Sequence, residues 1–364
     1  MIVPARPFPA FGAFAFRGGG VPDRLRGGRF FRLGRDALLY GLAQIGLRPG
    51  DALVFPAYYC ESALQPLRRH GFRLVFVDID AELQVPFEAV YGELVSSRGR
   101  AVVLVDFFGF PARCNRDFVA RCHEAGARVV VDRCHAVLSG HEGDCGADGI
   151  ASSFRKTLAV QDGGYWKSTG EERGQPLGAG GLGLTYLAMR LAERGAVRLG
   201  WPNPYGKLVQ RFRPSSSRRV AEREVGTARP VSPSFSLARY LGDASFLEDV
   251  VDRRRENYRQ LVAALEGTGV RCLFPQLPAG VVPQVLPVVE ETGSLADFLR
   301  GKGVGAFRWP GDELPEEVAS RPDLFPHANA INRTVTCLPV HQDITGRHIR
   351  YIAEMVMAWA KEEA

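Results

Sequence analysis

The chain has 364 residues, 46% hydrophobic and 24% charged, with a formal net charge of +6. This is ordinary globular composition, with material for about two domains. No apolar run reaches the ~20 residues that cross a bilayer, and the small basic excess, without an interleaved aromatic and basic patch, gives no reason to expect nucleic acid.

The apolar N-terminus, MIVPARPFPAFGAFAF, is broken by Pro4, Pro7, Pro9 and Gly12 and has no compact core of a signal peptide. Helical spacing over 36–46 precedes a short strand at 52–55, and a helix at 61–70 precedes the strand at 73–78. A helix near 86–96 leads to the strand 101–109, a helix at 115–125 to the strand 127–132, and a last strand is expected at 150–154. Continuous β-branched runs separated by helices predict a mainly parallel sheet buried on both faces. Such sheets bind ligands at the C-terminal edge of their strands.

Residues 168–234 are rich in Gly, Pro, Ser and Arg and read as irregular connection, with one helix at 185–195. A long helical pattern at 244–266 opens a C-terminal third of shorter strands and helices. The expected organisation is an arm at 1–28, a large domain at 29–240 and a smaller α/β domain at 241–364. Seven cysteines (Cys60, Cys114, Cys122, Cys134, Cys145, Cys272 and Cys337) form no C-x-x-C pair, which predicts reduced thiols in a cytoplasmic protein.

Two residues fall on the expected ligand-binding edge. Asp132 ends the strand ARVVV, and Lys156 follows the strand IASSF. An amine and a carboxylate delivered there suit pyridoxal phosphate. The amine can bond an aldehyde covalently and then shuttle protons, while the carboxylate keeps a pyridine nitrogen protonated. Taken singly, an Asp after a strand usually caps a turn and a lone Lys is usually a surface charge, so spacing alone leaves those readings open.

Other signals are weaker. The literal G-x-G-x-x-G at 178–183 follows no strand and has no acidic residue at the ribose-binding distance, which disfavours a nicotinamide oxidoreductase. His135, His141, Cys134 and Cys145 fit no common zinc spacing, so no metal is expected. The run RRRENYR at 253–259 reads as a solvated helix face, and His341 as a residue that orders a loop.

The succession GRDALLYGLAQIGLRPGD, FPAYYCESAL, FVDID, VVLVDFFGFPA, VVVDRCHAVLSG, SSFRKTLAVQDGG, RRRENYRQL and LPVH resembles the DegT/StrS-type aminotransferases. The likeness is close over 29–165 and looser over 250–345. It implies a fold-type-I pyridoxal-phosphate transferase, with a large domain on a mainly parallel sheet and a smaller C-terminal α/β domain. By position it places the pyridine-nitrogen carboxylate on Asp132, the group near the phenolic oxygen on His135 and the cofactor-bonding lysine on Lys156. Ser153 takes the place of a phosphate-contacting hydroxyl, and Gly34, Arg35 and Asp36 that of the phosphate cradle at a helix N-terminus. Ring stacking falls to Tyr59 or Cys60, and Arg308 and Trp309 to the substrate entrance.

The sequence also departs from the family pattern. Arg35 and Asp36 stand where small or hydroxyl residues are common, Ser153 and Lys156 are closely spaced, and the Gly-x-Asn-x-Arg-Met segment that serves the partner subunit is absent. The implied reaction moves an amino group from glutamate or glutamine to a carbonyl acceptor, such as a nucleotide-linked keto sugar, in a homodimer. The arginines at 211–224 suit such an anionic ligand or a solvated loop. Another reaction of the same cofactor, or a non-catalytic cofactor-binding regulator, stands as the alternative.

Overall fold

A computed structural model describes residues 1–9, 25, 27–140, 145–169, 184–198 and 228–363. The large sheet begins with β1 (Arg29–Phe31), followed by α1 (Gly34–Gln44), β2 (Ala52–Pro56), α2 (Glu61–Arg69), β3 (Arg73–Val77) and α3 (Phe87–Ser96). It continues through β4 (Gly99–Val105), α4 (Arg116–Glu124), β5 (Arg128–Arg133), β6 (Gly149–Ser153) and β7 (Gly164–Ser168). The strand order is β1-β7-β6-β5-β4-β2-β3. Strands β2 to β6 are parallel, while β7 runs antiparallel to both β6 and β1.

Side chains alternate across the central strands because successive Cβ atoms point to opposite faces. Leu53, Phe55, Val103 and Val130 join one core with α1 and α2. Val54, Val102, Leu104, Val129 and Val131 join another with Val90 and Leu94 of α3 and Phe118 and Cys122 of α4. Both faces are therefore covered, as the continuous apolar runs predict. Two short strands escape the sequence reading: RFF and GYWKS have too little β-branched character to signal β1 and β7. The expected strand 101–109 stops at Val105, because Phe108 (φ 57°) and Gly109 (φ 108°) adopt left-handed backbone.

Helix α5 (Leu184–Arg198) covers the expected 185–195 and extends beyond it. The glycine motif at 178–183 and the arginines at 211–224 lie outside the described residues. After α6 (Phe235–Leu241) and the long α7 (Ala244–Ala264) come β8 (Arg271–Cys272), β9 (Val285–Val289), α8 (Leu295–Gly301), α9 (Glu316–Ala319), α10 (Pro326–Thr334), β10 (Val335–Pro339) and α11 (Gly346–Glu363). Strands β10, β9 and β8 form a second, antiparallel sheet. Helix α11 closes that sheet's core with Ile349, Ile352, Ala353, Val356 and Trp359, the spacing of one helical face. The arm attaches here too: Val3 N donates to Gly303 O at 2.9 Å, and Phe8 N to Asp343 Oδ2 at 2.6 Å.

Two expectations are corrected. Cys114 and Cys145 form a disulfide across a separation of 31 residues, while Cys60, Cys122, Cys134, Cys272 and Cys337 are free thiols. The pair meets only because the loops after β4 and before β6 converge, which spacing along the chain does not reveal. The run at 253–259 is solvated on one side only. Arg253 and Arg259 are exposed, but Arg254, Asn257 and Tyr258 are buried.

Candidate active site

The site gathers where β5 and β6 end beside the N-terminus of α1. Asp132 is buried near the end of β5, and its backbone carbonyl accepts from Asp106 N at 3.0 Å, tying the ends of β5 and β4 together. Oδ1 accepts from Cys134 N at 2.8 Å and Oδ2 from the Tyr59 hydroxyl at 2.5 Å. The Tyr59 phenol is pushed well above its ordinary pKa, first by burial and then by the Asp132 charge, so it remains a donor. Burial and Asp132 likewise push the Cys134 thiol up.

His135 lies three residues beyond Asp132 and is also buried. Its Nδ1 accepts from Phe108 N at 3.3 Å, which leaves the proton of the neutral ring on Nε2. Burial, with the Lys156 charge second, holds this imidazole well below its ordinary pKa. The ring lies parallel to Phe108 (centroids 5.6 Å apart, 17° between planes) and edge-on to Trp309 at 4.7 Å.

Strand β6 leads directly into a single 3-10 turn, Phe154–Lys156, closed by Thr157 N to Phe154 O at 3.0 Å and Leu158 N to the same carbonyl at 2.8 Å. Lys156 Nζ stands 5.7 Å from the centre of the Trp309 ring. Trp309 in turn meets Tyr58, Phe107 and Phe108 edge-on, and its carbonyl accepts from the Tyr58 hydroxyl. An aromatic wall of Tyr58, Phe107, Phe108 and Trp309 therefore borders the lysine. Only Trp309 of these figured in the sequence reading, although the doublets Tyr58-Tyr59 and Phe107-Phe108 are visible in the chain.

Helix α1 presses its N-terminus against these strand ends. A Cβ on Gly34 would come within 2.6 Å of Cys134 Sγ and 3.2 Å of Ser153 Cβ, so only glycine permits this approach. Asp36 N and Ala37 N bond to Leu33 O, and the Asp36 carboxylate returns to Leu33 N at 3.2 Å. Asp36 therefore caps its own helix, leaving the N–H groups of Gly34 and Arg35 with no carbonyl of their own helix to meet. Arg35 reaches sideways to Ser62 O at 3.3 Å.

Not every expected residue converges here. The Cys60 thiol donates to Glu313 Oε2 at 2.7 Å and is raised to about 11 by burial and that bond, so of the two stacking candidates Tyr59 is the one at Asp132. Arg308 reaches Gly293 O at 3.2 Å and Asp297 at 3.6 Å; Trp309, not Arg308, stands at the lysine. His341 orders a loop as expected: Nε2 bonds Pro4 O at 2.9 Å and Nδ1 accepts from Asp343 N at 3.3 Å. Among the described residues no group of His, Cys, Asp and Glu could hold a metal ion, and no helix is long and apolar enough to cross a membrane.

These residues fit pyridoxal phosphate. Asp132 accepts from the Tyr59 hydroxyl and from the backbone and thiol of Cys134, on a carboxylate with about four lone-pair positions, so it keeps capacity for a pyridinium N–H. The glycine cradle brings backbone N–H groups and the positive end of α1 to Ser153, the setting a phosphate needs.

Comparison with known proteins agrees. Residues 32–173 match the model of the DegT/DnrJ/EryC1/StrS aminotransferase family. A dTDP-4-dehydro-2,3,6-trideoxy-D-glucose 4-aminotransferase of Saccharopolyspora spinosa is 25% identical over 346 residues, which span 89% of this chain and 82% of that enzyme. Among solved structures, the aminotransferase TlmJ of Streptoalloteichus hindustanus superposes with a TM-score of 0.64 at 24% identity, covering 93% of this chain and 87% of its own. A Streptococcus pneumoniae protein assigned as a sugar aminotransferase, in its PLP form, gives 0.68 at 15% identity, covering 98% and 99%. These likenesses, both under 25% identity, show the fold. The sequence matches make residues 32–173 similar to the DegT/DnrJ/EryC1/StrS aminotransferase family, whose members use pyridoxal phosphate.

Proposed function

We propose that the protein is a pyridoxal-phosphate-dependent aminotransferase that moves an amino group from glutamate or glutamine to a nucleotide-linked keto sugar. The observation that carries this reading is the convergence of Asp132, His135 and Lys156 beside the glycine cradle of α1. The sugar acceptor is supported by the Saccharopolyspora relative, which matches this chain over most of its length.

Pyridoxal phosphate, when bound, supplies an aldehyde for amine chemistry and a ring that accepts electrons. Asp132 holds the proton on the pyridine nitrogen, and Tyr59 and Cys134 N fix that carboxylate in place. Lys156 Nζ takes the proton from the donor's α-carbon and returns one to the acceptor's carbonyl carbon in the second half-reaction. His135, kept neutral, offers Nε2–H as a donor toward the phenolic oxygen, and Ser153 with the first turn of α1 holds the phosphate. Trp309 borders one side of the amine of Lys156, a residue that is otherwise exposed.

We further propose a cytoplasmic homodimer, and a boundary between large and small domains at residues 240–241, where α6 ends. The five free cysteines suit that compartment, while the Cys114–Cys145 disulfide is unusual there. Borohydride reduction of the yellow protein should fix the cofactor to the peptide containing Lys156. An adduct on Lys167 or Lys207 would overturn the lysine assignment. Visible-spectrum titration with a panel of amino donors should bleach the lysine-bound cofactor with glutamate or glutamine. Return of the colour with nucleotide keto sugars, and not with simple keto acids, then tests the acceptor.

A further inference from the structure

Among the described residues Arg254 is the largest charged side chain that the fold buries, 1% exposed, and none of them brings a carboxylate within hydrogen-bonding range of it. It projects from α7, and all three of its nitrogens donate to neutral oxygens. Nη2 donates to Thr157 O at 2.8 Å, Nη1 to Pro283 O at 3.2 Å and Gln284 O at 3.1 Å, and Nε to Gln342 Oε1 at 3.2 Å. The Gln342 amide closes the ring by reaching Thr157 O at 3.5 Å. Burial lowers this guanidinium to about 9, with the Asp343 charge the one opposing influence. A buried cation held only by carbonyls is expensive to keep, and apolar groups of the same shape usually serve packing as well or better.

Its shortest bond falls on the residue next to Lys156. The 3-10 turn that carries the lysine is closed from within by Phe154 O alone. From outside, Thr157 O is gripped by Arg254 and Gln342, which come from α7 and from the loop after β10. The other two carbonyls of the fork, Pro283 and Gln284, lead into β9, and Gln284 N donates to Phe108 O at 2.8 Å, on the aromatic wall. One guanidinium thus links the lysine turn, the backbone behind Phe108 and the entry to the small sheet.

We propose that Arg254 is a positioning residue: its fork fixes the carbonyl of Thr157 and thereby the turn that aims Lys156 at the cofactor aldehyde. The inference rests on the reading of Lys156 given above. A planar, five-donor fork is required, because a lysine ammonium cannot span Thr157, Gln342 and the 283–284 carbonyls together.

The test uses full-length protein stripped of cofactor and then given pyridoxal phosphate. The rate at which borohydride traps cofactor on the Lys156 peptide is measured beside thermal unfolding. Arg254→Ala should slow attachment on the order of 10- to 100-fold, the range expected of a misplaced reacting group. It should lower kcat more than it raises the KM of the amino donor. Millimolar guanidinium should restore part of both rates, whereas Arg254→Lys should restore little. If Arg254→Ala does not fold, Gln342→Ala keeps the arginine but removes the acceptor of its Nε and the second donor on Thr157 O; it should slow attachment at least about 2- to 10-fold, the size of one neutral hydrogen bond. Wild-type attachment rates in the variant that folds, with only a lower melting temperature, would make Arg254 a structural rivet and overturn the proposal. Cofactor mapped to another lysine in the wild type would instead bring down the lysine assignment itself.

Discussion

At the ring end of the site, Asp132, Tyr59 and His135 are buried, and each has a hydrogen-bond partner. At the phosphate end, Arg35 is half-buried, and the one acidic side chain of the first turn, Asp36, is spent on Leu33 N. Burial strengthens every electrostatic interaction at the first end, and water weakens them at the second. The chemistry should therefore depend on single atoms at the ring end, while the phosphate end depends on backbone geometry and tolerates side-chain change.

The comparison breaks most visibly at Asp132. Asp132→Asn keeps the shape and the contact with Cys134 N but removes the charge that holds a proton on the pyridine nitrogen. Single-turnover kinetics with the amino donor should show proton abstraction slowed roughly 10²- to 10³-fold, the size of losing one preorganised electrostatic partner. The cofactor should still be trapped on Lys156. A near-normal rate would mean that another group protonates the ring.

Tyr59→Phe sharpens the contrast by keeping the aromatic face and removing one hydroxyl. A hydrogen bond to a charged group contributes ~1.5–3 kcal/mol, so urea unfolding of the cofactor-free variant should show a loss of that size. Unchanged stability would show that the hydroxyl's place on Oδ2 is readily taken by water, and that this end is less closed than its burial implies.

What the sequence reveals divides along the same line. The parallel strands and the edge carrying Asp132 and Lys156 are legible because buried strands write continuous runs such as VVVD, and strand ends position side chains. His135 is legible only through the family likeness. The Tyr59–Asp132 bond joins residues 73 apart, and nothing local in PAYYC announces it. Arg254 is instructive in another way: Val250, Arg254, Asn257 and Leu261 sit at helical spacing on one buried face, but a polar residue in that stripe reads as surface until its partners are known. The disulfide is hidden for the same reason, being a contact between loops.

His135 adds a pH test of the ring end. Its folded pKa is depressed, so above the ordinary histidine value of about 6.5 both folded and unfolded states carry it neutral, and stability is complete. As pH falls below that value the unfolded state takes up a proton that the folded state refuses. Stability is then lost, at up to about 1.4 kcal/mol per pH unit, until the depressed folded value is reached. His135→Gln should flatten the dependence of unfolding free energy on pH below 6.5 by up to that slope. An unchanged slope would mean that the imidazole protonates in place and that the ring end admits water.

The smallest effect belongs to Arg35, where the phosphate end is tested. Its guanidinium bonds the Ser62 carbonyl at 3.3 Å, so it lies beside the first turn of α1 and is already partly committed. If the cradle works through the N–H groups of Gly34 and Arg35, the backbone is untouched by Arg35→Ala and only a solvent-screened charge is lost. Such charges contribute at most about 1 kcal/mol, so the dissociation constant of pyridoxal phosphate should rise no more than about five-fold. The difference from wild type should shrink as salt is raised, because screening acts over about 10 Å at 0.1 M. Gly34→Ala provides the opposite case, since its added carbon would meet Cys134 Sγ at 2.6 Å and move the helix end itself. Cofactor affinity should then fall further than in Arg35→Ala, and added salt should not narrow the gap. The reverse ranking would assign the phosphate to the arginine rather than to the backbone, and the contrast between the two ends would fail.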